Sequence, residues 1–145
     1  MCKYSLIMIL MIVLLISVSC SDNIVSDCEE ITSPPNLDSV FTLAQIQNQI
    51  FNNSCAVSNC HAGTTPQANL NLSAGQSYSN LVNVPSQQMP SLQRIEPGNS
   101  AESYLIKKLE GNGIRGQRMP FNQPPLSDDL INKIKLWIDE GAPNN

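Results

Sequence analysis

The sequence predicts an all-α domain over residues 41–145. Two segments, one at each end of this stretch, carry apolar residues at helical spacing, and no segment alternates apolar and polar residues as a half-buried strand would. The segments between them are rich in Gly, Pro and Asn, which favour turns and loops. Short helices joined by irregular connections are therefore expected.

The first helix is predicted to begin after Thr42, because Gln45 three residues later completes a capping-box pattern. It is expected to end near Asn52, with Asn53 and Ser54 breaking it just before Cys55. Four apolar residues share one face of this helix: Leu43, Ile46, Ile50 and Phe51.

Two shorter helices are predicted in the middle of the domain, over residues 76–83 and 101–110. Asn99 or Ser100 can cap the second of them, and Gly111 ends it. The last helix has the clearest pattern, since Ser127 caps it and two aspartates follow in its first turn. Its buried stripe is expected to contain Leu130, Ile131, Ile134, Trp137 and Ile138.

The first forty residues predict export and a tether. Lys3 precedes an unbroken apolar run of eleven residues, 6–16, which suits a signal peptide and is too short for a stable membrane span. Small residues then lead to Cys20, a pattern that resembles the lipobox of bacterial lipoproteins, in which the cysteine is acylated. We therefore expect a signal peptide over 1–19 and a disordered tether over 20–40. Ordinary cleavage nearby, giving a soluble periplasmic protein, is the alternative.

The composition of the chain disfavours one class of partner and indicates how the core is filled. The formal net charge of −4 disfavours nucleic acid, because phosphate binding needs a basic face. Aromatic residues make up only 5% of the chain, so a small domain has few large side chains with which to fill its interior. A large apolar cofactor, a metal or a disulfide would compensate.

One motif carries candidate chemistry. Cys55 and Cys60 are separated by four residues, and His61, the only histidine of the chain, follows directly. The commoner motif for attaching c-type haem is Cys-x-x-Cys-His, and this stretch has two more residues between the cysteines. In such motifs the two thiols add to the haem vinyl groups and the adjacent imidazole binds the iron. The two additional residues are expected to bulge outward without disturbing the Cys60-His61 pair.

Residues 41–143 resemble the small monohaem c-type cytochromes found as domains of bacterial lipoproteins. The resemblance rests on five stretches: residues 54–63 around the cysteines, Arg-Ile-Glu-Pro-Gly at 94–98, Ser-Tyr-Leu-Ile-Lys-Lys-Leu at 103–109, Arg-Met-Pro at 118–120 and Trp-Ile-Asp-Glu-Gly-Ala-Pro at 137–143. It implies one covalent haem c, first and last helices packed across each other, and electron transfer as the function.

The resemblance also implies individual roles. Cys55 and Cys60 would hold the haem, His61 would be the proximal iron ligand, and a loop methionine would be the distal one. Met119 suits that position in the chain order, with Met89 as the alternative, since each precedes a proline.

Three supporting contacts are expected around the haem. Arg94 and Arg118 are possible partners of the haem propionates, although ordinary surface charge explains them equally well. A backbone carbonyl near Pro66 is a candidate acceptor for the second ring nitrogen of His61.

Other functions remain open at this point. Cys28, Cys55, Cys60 and His61 could hold a structural zinc ion, or Cys55 and Cys60 could form a disulfide in an exported binding module. A haem enzyme is disfavoured because the chain has no second histidine. The sequence therefore predicts an electron carrier, working alone or as the redox subunit of a larger complex. Its partners would be unidentified redox proteins and, through the lipid on Cys20, a bacterial membrane on the periplasmic or cell-surface side.

Overall fold

The computed structural model describes residues 41–145, and within that range helices are the regular elements. Helix α1 spans Leu43–Ile46 and continues as a π-helix over Gln47–Cys55, α2 spans Ser77–Leu81, α3 spans Tyr104–Glu110 and α4 spans Asp128–Asp139. Single 3₁₀ turns lie at Gln67–Asn69 and Ser100–Glu102. The described residues contain no β-strand, but they contain two isolated β-bridges, which pair Val82 with Ile95 and Pro85 with Gln93. The predicted signal peptide, the tether, Cys20 and Cys28 lie outside these residues.

Helix α1 begins as predicted and ends later than predicted. Thr42 and Gln45 form both hydrogen bonds of the capping box. The helix then widens into its π-helical part and runs to Cys55, so the predicted break at Asn53 is wrong. The side-chain amide of Asn53 donates to the carbonyl oxygens of Asn48 and Gln49, each at 3.0 Å, and so satisfies acceptors that the widened turns expose.

The third predicted helix is shorter than expected. Ser103 leaves the helical conformation, with φ −75° and ψ 118°, and separates the 3₁₀ turn from α3. Its fully buried hydroxyl donates to the carbonyl of Asn99 and accepts from the backbone N–H of Glu96. The carboxylate of Asp139 accepts from the backbone N–H and the hydroxyl of Ser100, which fixes the turn against the end of α4. These side-chain bonds replace helical ones.

Helix α4 forms as the sequence predicts, except that Leu130 of the expected buried stripe is only half-buried. The Ser127 hydroxyl accepts from the backbone N–H of Leu130, and the side chains that face inward are Ile131, Ile134, Trp137 and Ile138. Trp137 has no exposed surface, and its indole N–H donates to the carbonyl of Pro143 at 3.0 Å. This bond secures the chain that follows the helix.

The first and last helices contribute to one apolar core. The residues that connect them include Ile46, Ile50 and Phe51 from α1 and Ile134, Trp137 and Ile138 from α4. Asn145 adds polar contacts, because its side-chain and backbone oxygens accept from the N–H groups of Leu43 and Ala44. None of the helices in residues 41–145 is long and apolar enough to cross a membrane.

Candidate functional site

The two cysteines and the histidine are brought together by a tight return of the chain after α1. Cys55 ends the π-helix, and the backbone N–H of His61 then donates to the Cys55 carbonyl at 3.1 Å. Within this return the N–H of Cys60 donates to the carbonyl of Val57 at 3.0 Å. Ser58 and Asn59 are both exposed, but Asn59 also lines the cavity described below, so the predicted outward bulge is found only at Ser58.

A cavity of about 460 Å³ opens beside this return. Its volume lies within the range of small-molecule and cofactor pockets. Five of the predicted site residues line it, and they come from three separate parts of the chain: Cys55, Cys60, His61, Arg94 and Met119. The remaining lining is mostly apolar or amide, with Leu72, Leu81 and Leu109 among the apolar side chains.

The imidazole of His61 is held by the backbone. Its Nδ1 lies 3.2 Å from the carbonyl oxygen of Leu70, in the segment that follows Pro66, near which the acceptor was predicted. Because a carbonyl can only accept, Nδ1 carries the proton and Nε2 keeps its lone pair. Burial lowers the pKa of His61, and the charges of Arg94 and Lys108 lower it further, against the opposing effect of the backbone hydrogen bonds. The ring is therefore neutral and competent to bind a metal at neutral pH.

The two thiols are half-buried, and among residues 41–145 both are free. Burial raises the pKa of the Cys55 thiol to about 11, and the neighbouring Cys60 raises it as well. Cys55 is thus a protonated thiol at neutral pH, and it lines the cavity.

Met119 reaches the cavity from the loop after α3, and this loop is held by one lysine. The backbone N–H of Met119 donates to the Lys108 carbonyl at 2.8 Å. The Lys108 ammonium, only 8% exposed as a residue, donates to the carbonyls of Arg115 and Gln117 at 3.1 and 2.6 Å. Met89 is half-buried and is not among the residues that line the cavity.

The two candidate arginines differ in position. Arg94 is buried and lines the cavity, where its guanidinium donates to the carbonyls of Asn80 and Ala68 at 2.7 and 2.8 Å. The surface-charge interpretation of Arg94 is therefore wrong. Arg118 is half-buried, donates to the carbonyls of Met119 and Gln123, and does not line the cavity.

The cavity is cationic. Arg94 and Lys108 line it, and no Asp or Glu of the described residues does. Burial lowers the pKa of both side chains from their ordinary values. The arrangement suits an occupant that carries negative charge on a largely apolar body, because such a ligand would match both the charge and the apolar walls.

Two lining residues were not found from the sequence. Lys108 and Tyr104 both sit on α3, where helical spacing alone assigns one to the surface and the other to the core. The Tyr104 hydroxyl accepts from the backbone N–H of Arg115 at 3.0 Å, so both side chains hold the loop that precedes Met119. The sequence could have indicated the role of Lys108, since a lysine among the apolar residues of a short helix is a candidate for a buried hydrogen-bond donor.

Within residues 41–145, no three His, Cys, Asp or Glu side chains form a group that could hold a metal ion. Cys28, which the zinc hypothesis requires, lies outside the described range. Comparison with protein-family models, with curated proteins and with solved structures returns no match. The functional argument therefore depends on the residues of the cavity.

Proposed function

We propose that residues 41–145 bind one haem c covalently and carry single electrons. The observation that carries this proposal is the convergence of Cys55, Cys60, His61 and Met119 on one cavity, although Met119 is far from the others in sequence. Two thiols beside an imidazole, with a thioether supplied by another loop, form the donor set of a covalently attached haem with His/Met ligation.

The residues present fit such a group. Cys55 and Cys60 would supply the two thioether links, and Nε2 of His61 is the ring nitrogen left for iron, because Nδ1 is bound to Leu70. The cavity walls are largely apolar, and Arg94 and Lys108 give the cavity the charge that two propionates require. The bound haem would supply an Fe(III)/Fe(II) couple.

The remaining chemistry is that of the chain. Leu70 fixes the ring orientation of His61 and strengthens it as a donor to metal. Met119 offers a soft thioether, which favours the reduced metal and hence a comparatively high reduction potential. Two buried cations without a carboxylate act in the same direction, since they disfavour an additional positive charge. These features fit an electron carrier, in which His61 and Met119 would both hold the iron, better than an enzyme that must admit substrate.

We further propose that the domain works outside the cytoplasm, anchored through a lipid on Cys20, with residues 20–40 as its tether. Its partners would be redox proteins at a bacterial membrane, either separate or within a larger complex. The sequence pattern around Cys20 supports this location. Metabolic labelling with a radioactive fatty acid tests it, because a Cys20→Ser variant should lose the label.

The deciding experiment is a haem stain on a denaturing gel after expression with the haem-attachment machinery. Stain that stays with the wild-type band and disappears in a Cys55→Ser/Cys60→Ser variant would establish covalent attachment. Ser58→Ala is a matched control, since this residue lies on the exposed bulge between the cysteines. A folded wild-type protein that does not stain would reject the proposal, and zinc content and thiol titration would then distinguish a zinc site from a Cys55–Cys60 disulfide.

A further inference from the structure

The segment after the Cys-His pair folds back over it. The backbone N–H of Gln67 donates to the Cys60 carbonyl at 2.7 Å, and that of Leu72 donates to the His61 carbonyl at 2.8 Å. Between these two bonds, the Leu70 carbonyl meets Nδ1 of His61. The orientation of the imidazole thus depends on the shape of the turn over residues 67–70.

This turn has an unfavourable backbone. Ala68 and Asn69 both have positive φ, at 54° and 49°, and consecutive residues in the left-handed region are disfavoured because of their Cβ atoms. Asparagine tolerates this region better than alanine does. Something outside the turn must therefore stabilise it at Ala68.

Arg94 supplies that stabilisation. One guanidinium nitrogen donates to Ala68 and, at 3.4 Å, to Asn69, and the other donates to Asn80, just before the end of α2. The backbone of Arg94 is itself fixed, because its N–H donates to Val84 at 2.7 Å and its carbonyl accepts from the backbone N–H of Leu105 at 3.0 Å. No carboxylate of the described residues forms an ion pair with it.

We propose that Arg94 is a positioning residue for His61: its planar fork holds the carbonyls of the strained turn, and the turn presents the Leu70 carbonyl to the imidazole. This rests on the proposed function, in which His61 is the proximal iron ligand. The role differs from propionate binding, because the guanidinium acts on the protein backbone. It depends on the shape of the side chain as well as on its charge.

Arg94→Lys separates shape from charge, since lysine keeps the charge but cannot span two carbonyls as a planar fork does. Arg94→Gln removes both. Arg115→Gln is the matched control, because Arg115 is exposed and only its backbone atoms form hydrogen bonds, with Lys108 and Tyr104 of α3. The readout is hydrogen exchange, by NMR, of the Gln67 and Leu72 amides and of the His61 ring N–H. It is measured on the full chain after expression with the haem-attachment machinery.

In both Arg94 variants these three N–H groups are expected to exchange at least about tenfold faster than in wild type. Each variant loses the charge-assisted hydrogen bonds from the guanidinium to the turn, and the lysine of Arg94→Lys does not restore them. Arg115→Gln should match wild type. Wild-type exchange in Arg94→Lys would overturn the positioning role and leave charge alone as the contribution of Arg94. Haem staining of the same samples reports on the proposed function separately, since its loss in wild type would reject haem binding whatever the exchange rates.

A second substitution tests the strain directly. Ala68→Gly removes the Cβ penalty of the left-handed turn, so it should restore part of the protection when combined with Arg94→Gln. If the same N–H groups exchange as fast in the double variant as in Arg94→Gln alone, Arg94 does not act by stabilising this turn. That result would overturn the proposal.

Discussion

The ammonium of Lys108 lies 2.6 Å from the carbonyl oxygen of Gln117, two residues before Met119. The same lysine accepts the Met119 N–H at its own carbonyl, so one residue of α3 contacts the methionine loop through both side chain and backbone. The position of the Met119 thioether in the cavity depends on these contacts.

Lys108→Met should loosen this loop while keeping the apolar stem. The carbonyls of Arg115 and Gln117 would lose a charged donor whose side chain is buried, which predicts a loss of about 2 kcal/mol in the free energy of unfolding. In the haem-loaded protein, the far-red absorption band of thioether-bound ferric iron should weaken. Lys107→Met is the matched control, since Lys107 forms only a surface pair with Glu102. Equal stability and spectra in the two variants would contradict the prediction.

Met119→Ala should lower the reduction potential and abolish the far-red band, because the soft thioether that favours Fe(II) is removed. Met89→Ala should leave both unchanged, since Met89 does not line the cavity. Redox titration and absorption spectroscopy of the two variants check this. Loss of the band in Met89→Ala alone would reverse the assignment of the distal ligand.

The stability of the haem-free chain should fall in mild acid. The pKa of His61 is lowered in the folded state, so the unfolded chain binds the additional proton more readily. The contribution of His61 to the free energy of unfolding should therefore be constant above the ordinary pKa of 6.5 and decrease as the pH falls from there toward the lowered pKa. Urea titrations across this range measure it. His61→Gln should lack this part of the pH dependence, and an unchanged slope in that variant would assign it to other groups.

Cys55 should react slowly with iodoacetamide in the folded, haem-free chain. Raising its pKa from 9.0 to about 11 lowers the thiolate fraction about a hundredfold at neutral pH, and the greater nucleophilicity of the more basic thiolate offsets part of this. We expect Cys55 to be alkylated about tenfold more slowly in buffer than in urea. Peptide mapping of the alkylated chain distinguishes Cys55 from the other cysteines. Equal rates in buffer and in urea would contradict the buried thiol.

Trp137→Ala should destabilise the domain by about 3–5 kcal/mol, because it leaves a large cavity in the core and removes the donor to the Pro143 carbonyl. Leu136→Ala, on the exposed face of the same helix, should change stability little. Urea denaturation of both variants measures the difference. A similar loss in the two would contradict the buried packing of Trp137, because alanine is the best helix former and neither variant would lose helical propensity.

The ends of the domain were predictable because local rules decide them. Capping by Thr42 and Ser127, the buried stripe of α4 and the left-handed Gly111 after α3 all follow from neighbouring residues. The break at Ser103 could not be predicted, because its hydroxyl binds the backbone of Glu96 and Asn99, which lie in the irregular segment before it. Helical spacing continues through that point in the sequence.

The grouping of Cys55, Cys60 and His61 at one cavity was predictable, because a single short motif contains all three. The acceptor of the imidazole could be predicted only as a carbonyl near Pro66, because Leu70 reaches His61 through a turn whose left-handed backbone at Ala68 has no sequence signal. The burial of Arg94 also depends on that turn, since the carbonyls that bind it are presented by tertiary structure.

The π-helical end of α1 also determines the direction in which Cys55 points. In an α-helix each residue advances the azimuth by about 100°, whereas wider turns advance it less for every residue added. Deleting one residue between Gln47 and Cys55 would let the ordinary helical winding return, and Cys55 would then leave α1 on a different side of the helix axis. The length of the π-helical segment thus determines on which side of α1 the Cys55 thiol lies. A one-residue change in that length would move the thiol, whereas most substitutions in the cavity would leave the thiol in place.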